Sequence, residues 1–291
     1  MRFGAMIAVL LLTCVGSAEQ RYSVTGLVLK VDPAHRTMVV SCQTIPGYMD
    51  AMVMPFSVRQ AKTLDGVAAG TMIDFTLVVG KRESHAESIH ARGFESLSQE
   101  PLQARRLKLM QDLMGPASNG ATPLGVGQHV PDFKLIDQKG RPVTLSQFYG
   151  KVVAMNFIYT RCALPEYCYR LSNNFGRLQK RFAQAMGRDL VLLTVTFDPV
   201  HDRPEVLNTY AQTWKADAEA WRFLTGPVPE VQQVCGMFGV DFWQDEALLT
   251  HTLHTVIIDR KGKMMANLEG NEFSAEQLGD LVENVLDKRS Q

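Results

Sequence analysis

Residues 152–168 read Val152-Val153-Ala154-Met155-Asn156-Phe157-Ile158-Tyr159-Thr160-Arg161-Cys162-Ala163-Leu164-Pro165-Glu166-Tyr167-Cys168, and most of the chain can be placed from them. Val152 to Tyr159 is almost continuously apolar, as a strand buried on both faces should be. Tyr167 to Met186 has helical composition. Two cysteines six positions apart lie about 240° apart around an α-helix and cannot share a face if both are helical. The spacing therefore predicts Cys162 in the loop, Pro165 at or near the first turn and Cys168 inside the helix. A helix N-terminus and the neighbouring Arg161 lower a thiol's pKa, which gives a thiolate suited to exchange or to metal ligation. A plain structural disulfide is the alternative, common in exported proteins.

Strands and helices alternate downstream. Leu190 to Phe197 is a second buried strand, and Asp202-Arg203-Pro204-Glu205 opens a helix with a cap residue, an early proline and a first-turn acid. Pro229 to Phe238 is a further helix, with Cys235 on its apolar side as a buried thiol without a role. Thr255 to Ile258 and Met264 to Leu268 form a hairpin around Asp259-Arg260-Lys261-Gly262. Ser274-x-x-Gln277 is a capping box, and Leu278, Leu281, Val282, Val285 and Leu286 follow on one face of the last helix. A β-α-β half followed by a β-β-α half is thioredoxin-like order. The second unit is thus an α/β thioredoxin-like domain over residues 126–291.

Upstream, residues 21–94 carry strand signals: Val24 to Val31, Met38 to Val40, Met52 to Val58, Met72 to Val79, and Glu87 to Gly93. Five short strands suggest a small closed all-β barrel, because closure removes exposed edges. Met52 and Met54 stand two apart, so in a strand both thioethers point to one face, and Cys42 and Met49 can fold over it through the Pro46-Gly47 turn. Thiolate and thioether sulfurs are soft ligands that select Cu(I) or Ag(I). The plain alternative is that these methionines fill the barrel core. His85 and His90, on opposite sides of the last strand, read as surface residues.

The chain has 291 residues, 30 Lys+Arg against 30 Asp+Glu, and 46% hydrophobic residues. This is ordinary globular composition, and without a basic cluster nucleic acid is excluded as a partner. Residues 1–18 have a basic start, an apolar run from Ala5 to Leu12 and the small residues Gly16-Ser17-Ala18, the pattern of a cleaved signal peptide. The protein is expected to be exported, to the periplasm or the outer face of the cytoplasmic membrane. Any membrane tether would be the N-terminus, as an uncleaved anchor or through lipidation of Cys14. Residues 95–125 read as a linker holding a short helix from Gln103 to Met114 and the run Gly115-Pro116-Ala117-Ser118-Asn119-Gly120.

Two resemblances attach to these motifs. Residues 45–56 are similar to the metal loop of the small periplasmic copper-binding domains of the CusF type, oligonucleotide-binding (OB)-like barrels. There a histidine, a Met-x-Met pair and a covering tryptophan bind Cu(I). By that resemblance Met52 and Met54 are ligands and Cys42 stands in the histidine's place. Residues 21–94 hold no tryptophan, which leaves Tyr48 or Met49 as the shield. From about Gly127 to Leu286 the chain resembles the Sco/SenC family, exported thioredoxin-fold proteins that deliver copper to cytochrome c oxidase. The resemblance rests on Cys162 and Cys168, on Asp198-Pro199-Val200-His201-Asp202-Arg203-Pro204, and on His251. It implies that Cys162, Cys168 and His251 are copper ligands. The family has three residues between the cysteines where this chain has five. His254, next to the strand, competes with His251 for the third place.

Together these readings describe a copper metallochaperone, rather than a turnover enzyme. Its partners would be a respiratory oxidase subunit with a copper centre and a thiol reductant protein that keeps the redox-active pair reduced. A linker acting as a tether would bring the barrel's copper to the second site. The alternatives are a thiol-disulfide oxidoreductase using Cys162 and Cys168, and a periplasmic copper-resistance buffer. A peroxidase would need a Pro/Thr-rich pocket that the Arg161-Cys162 context does not show.

Overall fold

The structure, a computed structural model, describes residues 19–93, 101–114, 122–245 and 248–288. The signal-peptide segment with Cys14, and the Gly115 to Gly120 run, lie outside the described residues.

The N-terminal unit contains β1 (Gln20–Asp32), β2 (Thr37–Cys42), β3 (Met52–Ser57), β4 (Met72–Val79) and β5 (Ser84–Ala91). They form one antiparallel sheet in the order β3-β2-β1-β4-β5. The sheet curls until its edges meet at a single isolated bridge between Val58 and Ala86, so the OB-like barrel is incompletely closed. β5 is irregular: its register against β4 shifts between Asp74 and Thr76, and Ser88 sits at φ 51°. His85 is buried, with Nε2 3.6 Å from a Glu87 carboxylate oxygen, while His90 is exposed. Reading His85 as a surface residue is thus corrected.

After α1 (Pro101–Met114), the second unit is built on a seven-stranded sheet of order β14-β13-β8-β9-β10-β6-β7. Its strands are β6 (Lys134–Asp137), β7 (Pro142–Thr144), β8 (Val152–Ile158), β9 (Leu190–Thr196), β10 (Trp221–Thr225), β13 (His254–Ile258) and β14 (Met264–Glu269). The helices are α2 (Arg170–Arg181), α3 (Pro204–Thr213), α4 (Val228–Met237) and α5 (Ala275–Asp287). β8, β9 and β10 run parallel and β13 antiparallel to β8, the thioredoxin-like arrangement. Every residue of β8 and β9 is buried, which explains their unbroken apolar sequence. A separate ribbon of β11 (Phe242–Asp245) and β12 (Leu248–His251) stands beside the sheet. The capping box at Ser274 and Gln277 is formed in both directions.

The two units share a packed interface. β1 is buried on both faces: Val24 and Val28 face the barrel core, while Leu27 and Leu29, with Met72 of β4, join the core of the second unit. The contact is close at Gly70, where a Cβ would lie 3.0 Å from Ala266 Cβ and φ is +92°. Ser41 and Arg92 add polar contacts to Asp280 and Glu272. The expected free tether is therefore replaced by docking, because burying leucines on the outer face of β1 is worth more than leaving them in water.

Candidate metal centre

β8 delivers the chain to the site. After Ile158 it turns through Thr160 and Arg161, and Cys162 lies in the loop that follows. Pro165–Tyr169 then forms a single π-turn ahead of α2, with Cys168 buried inside it. A helix from Tyr167 is thus corrected to a π-turn running into α2, and Tyr167 itself has non-helical φ −105°, ψ −109°. This wide turn accommodates the long segment between the two cysteines while bringing their sulfurs back together.

Cys162 Sγ, Cys168 Sγ and a ring nitrogen of His251 all lie within 4.8 Å of one another. His251 ends β12, where its Nδ1 is 2.9 Å from the Thr252 carbonyl oxygen. A carbonyl only accepts, so Nδ1 donates there and Nε2 is the ring nitrogen left to meet the two sulfurs. Tyr159, Tyr167 and Phe197 surround the ring at centroid distances of 5.6, 6.0 and 4.7 Å. His254 lies apart from this group. Its Nδ1 is 2.9 Å from Asn267 Oδ1, and burial lowers its pKa, which makes it a neutral core histidine.

The two thiols are held in unlike states. Hydrogen bonding from Cys168, with a further bond from His251, outweighs burial and lowers Cys162 to about 4. Burial keeps Cys168 well above the ordinary thiol value. The metal-free, reduced pair is one thiolate and one thiol, and ligation by both sulfurs releases the second proton. Two soft sulfurs with an imidazole suit copper, and all three donors are arranged for it without rebuilding the fold.

Sequence reasoning missed the buried support of this loop. Asp202 is fully buried and accepts hydrogen bonds from Thr160 N at 3.0 Å, from Thr160 Oγ1 and from Thr196 Oγ1. It is not the cap of α3, whose N-cap is Arg203 without a side-chain bond. Asp198 meanwhile binds Arg161 Nη2 at 2.7 Å and His201 Nδ1 at 2.8 Å. No local pattern signals the role of Asp202, because Thr160 lies 42 residues upstream and reaches it only through the fold.

The barrel carries a second donor set. Cys42 pairs with Met52 across β2 and β3, Val40 with Met54, and Met38 with Phe56, which places both methionines and Cys42 on one face. That row climbs from buried Phe56 through half-buried Met54 to Met52, 48% exposed at the mouth. Pro46 and Gly47 form a turn closed by Tyr48 N to Ile45 O at 3.0 Å, with Gly47 at φ +75°. Met49 packs against the barrel core and Tyr48 stacks on Tyr22 with centroids 4.2 Å apart. Burial raises Cys42 to about 12. Among the described residues, no hydrogen bond or ring contact joins this set to Cys162, Cys168 or His251. Cys235 is a buried core thiol on α4, pushed up by burial.

A thioredoxin-like sheet presenting a thiolate, a thiol and an oriented imidazole, docked to a barrel with a sulfur-lined mouth, has the donor chemistry of a soft-metal-binding protein. The comparison with family models makes the class specific: residues 121–287 match the SCO1/SenC family, and the chain belongs to it. Residues 21–91 match the family described as copper binding periplasmic protein CusF. Protein sco1 of Schizosaccharomyces pombe is 25% identical over 55% of this chain and 62% of its own length. The SCO1 protein homolog of Bacillus subtilis is 30% identical over 33% of this chain and 49% of its own. The chain thus spans about half to three fifths of these relatives. The crystal structure of yeast Sco1 with copper bound has 23% identity and a TM-score of 0.48, covering 57% of this chain and 91% of that one. Among the described residues no helix is long and apolar enough to cross a membrane.

Proposed function

We propose that this protein is an exported copper metallochaperone that binds Cu(I) and delivers it to the copper centre of a respiratory oxidase subunit. The observation that carries the reading is the convergence of Cys162, Cys168 and a ring nitrogen of His251. Copper is the cargo, and its ligands would be these three in the second domain and Cys42, Met52 and Met54 in the barrel. The match to a periplasmic copper-protein family supports a location outside the cytoplasm. A disulfide cannot offer two thiolates to Cu(I), so a thiol reductant protein keeps the pair loaded-competent.

The test is Cu(I) stoichiometry of the reduced, signal-free protein against a competing chelator. Two coppers in the parent are expected, with one left in Cys162→Ser/Cys168→Ser and one left in Met52→Leu/Met54→Leu. A single copper, lost only with the methionines, would overturn metal binding at the cysteine pair. It would favour the second reading, a thiol-disulfide oxidoreductase, which the low pKa of Cys162 beside a buried partner thiol also supports.

A further inference from the structure

The mouth end of the barrel's donor row, Cys42 and Met52, borders a cleft between the two domains. This cleft has a volume of about 420 Å³, with Cys42 and Met52 on one wall and Arg181, Glu276, Gln277 and Asp280 on the other. The second domain reaches across it to the residue next to Cys42. Gln277 Nε2 donates to the Ser41 carbonyl at 3.0 Å, and Ser41 Oγ donates to Asp280 Oδ2 at 2.7 Å. Ser41 and Cys42 are neighbours on a strand, so they point to opposite faces. The second domain therefore grips β2 from outside at the position where Cys42 points inward.

Both gripping side chains are themselves fixed. Gln277 Oε1 accepts from Ser274 N at 3.0 Å in the capping box, which leaves its Nε2 free for Ser41. Asp280 Oδ1 accepts from Arg181 Nη2 at 2.8 Å. The segment leading into α5 is tied down as well, through Asn271 Nδ2 donating to the Glu166 carbonyl. Cys42 is the last residue of β2, and its partner strand β3 is at the sheet edge, where strand ends are least constrained.

We propose that Gln277 and Asp280 are positioning residues for the barrel's Cu(I) site, so that this site is complete only when the second domain is docked. The inference rests on the copper reading of the barrel and adds which part of the chain builds it. A group bonded to a ligand itself typically carries 10- to 100-fold of metal affinity, and here the bonds act one residue away, through Ser41, so the lower end of that range is expected.

The experiment uses the full chain carrying Cys162→Ser/Cys168→Ser, so that only the barrel titrates with Cu(I) against a chelator. Asp280→Ala and Ser41→Ala are each expected to weaken Cu(I) binding by about tenfold. Asp280→Asn, which keeps an acceptor for Ser41 Oγ, restores affinity to within about threefold of the background. X-ray absorption at the copper edge should show the sulfur shell losing its short thiolate component in Asp280→Ala, a change that a merely structural contact would not produce. Gln277→Ala also opens the capping box, so it is read only beside Ser41→Ala and with its thermal transition recorded. Unchanged affinity and an unchanged sulfur shell in Asp280→Ala and Ser41→Ala would overturn the inference and leave the barrel a copper site. Absence of barrel copper in the Cys162→Ser/Cys168→Ser chain itself would overturn both.

Discussion

The two sulfur sites solve the same problem in opposite ways. In the second domain the donors are gathered at the end of a fully buried strand, and hydrogen bonds hold one thiol ionised before any metal arrives. In the barrel the donors lie along a strand pair, two of them uncharged thioethers, and the one thiol is buried and protonated. On the proposed copper reading, the first meets the metal as an anion. On the same reading, the second would take a soft cation at its exposed methionine, and binding by Cys42 would require loss of its proton. The difference comes from where each cysteine sits, loop against strand end, rather than from the residue type.

The largest effect expected from this contrast is in the two histidines of the second domain. His251→Ala removes an oriented donor and should weaken Cu(I) binding there by at least about 100-fold; because the ring is buried among Tyr159, Tyr167 and Phe197, about 1–3 kcal/mol of stability should go with it. His254→Ala should cost stability and spare the copper. It opens a cavity and leaves Asn267 Oδ1 unpaired in the core, costing about 2–4 kcal/mol of stability, with copper affinity within about threefold. Chelator competition and thermal melting on both variants decide it, and a copper defect of equal size in His254→Ala would break the distinction.

A smaller effect separates the cysteines themselves. In the reduced, metal-free protein at neutral pH, Cys162 near 4 is essentially all thiolate, and Cys42 near 12 is ionised to roughly one part in 10⁵. The less basic thiolate is also the weaker nucleophile, and a Brønsted slope of about 0.4–0.5 returns some three to four of those decades. Iodoacetamide should therefore modify Cys162 about 10- to 100-fold faster, before the burial of Cys42 is counted. The rate at Cys162 should stay flat from pH 9 down to 5 and fall below its pKa, whereas the rate at Cys42 climbs throughout. Peptide-resolved labelling reads both, and a Cys162 rate that turns over near pH 8.5, the ordinary thiol value, would remove the electrostatic half of the comparison.

Local patterns made much of this legible, and long-range packing hid the rest. The unbroken apolar runs gave β8 and β9 because a strand covered on both faces has no polar face to show. Ser274 and Gln277 announced α5, and the two-residue step from Met52 to Met54 announced a shared face. Asp202 was misread because an acid before Arg203-Pro204 looks like a cap, and only the fold brings Thr160 and Thr196 to it from two other strand ends. The β11–β12 ribbon that carries His251 was not foreseen, since short strands outside the main sheet have little pattern of their own. Nor did the outward leucines of β1 reveal what they pack against. An apolar residue at an alternating position signals a buried face without naming its partner, and here the partner is another domain.

The smallest expected effect concerns what covers the barrel's mouth, and it would sharpen the comparison most at its exposed end. Tyr48 is 43% exposed and stacks on Tyr22 with an interplanar angle of 22°, so its ring is engaged with a neighbour on β1. A ring committed to a stack with its flank in water braces the turn at Pro46 and Gly47. Tyr48→Ala should then cost about 1 kcal/mol of stability from the lost aromatic pair, and weaken barrel Cu(I) binding by no more than about threefold. A loss above tenfold, measured in the chain lacking Cys162 and Cys168, would mean that the ring turns onto the metal when copper binds. The barrel would then close its site with its own aromatic, in addition to the support it draws from the second domain.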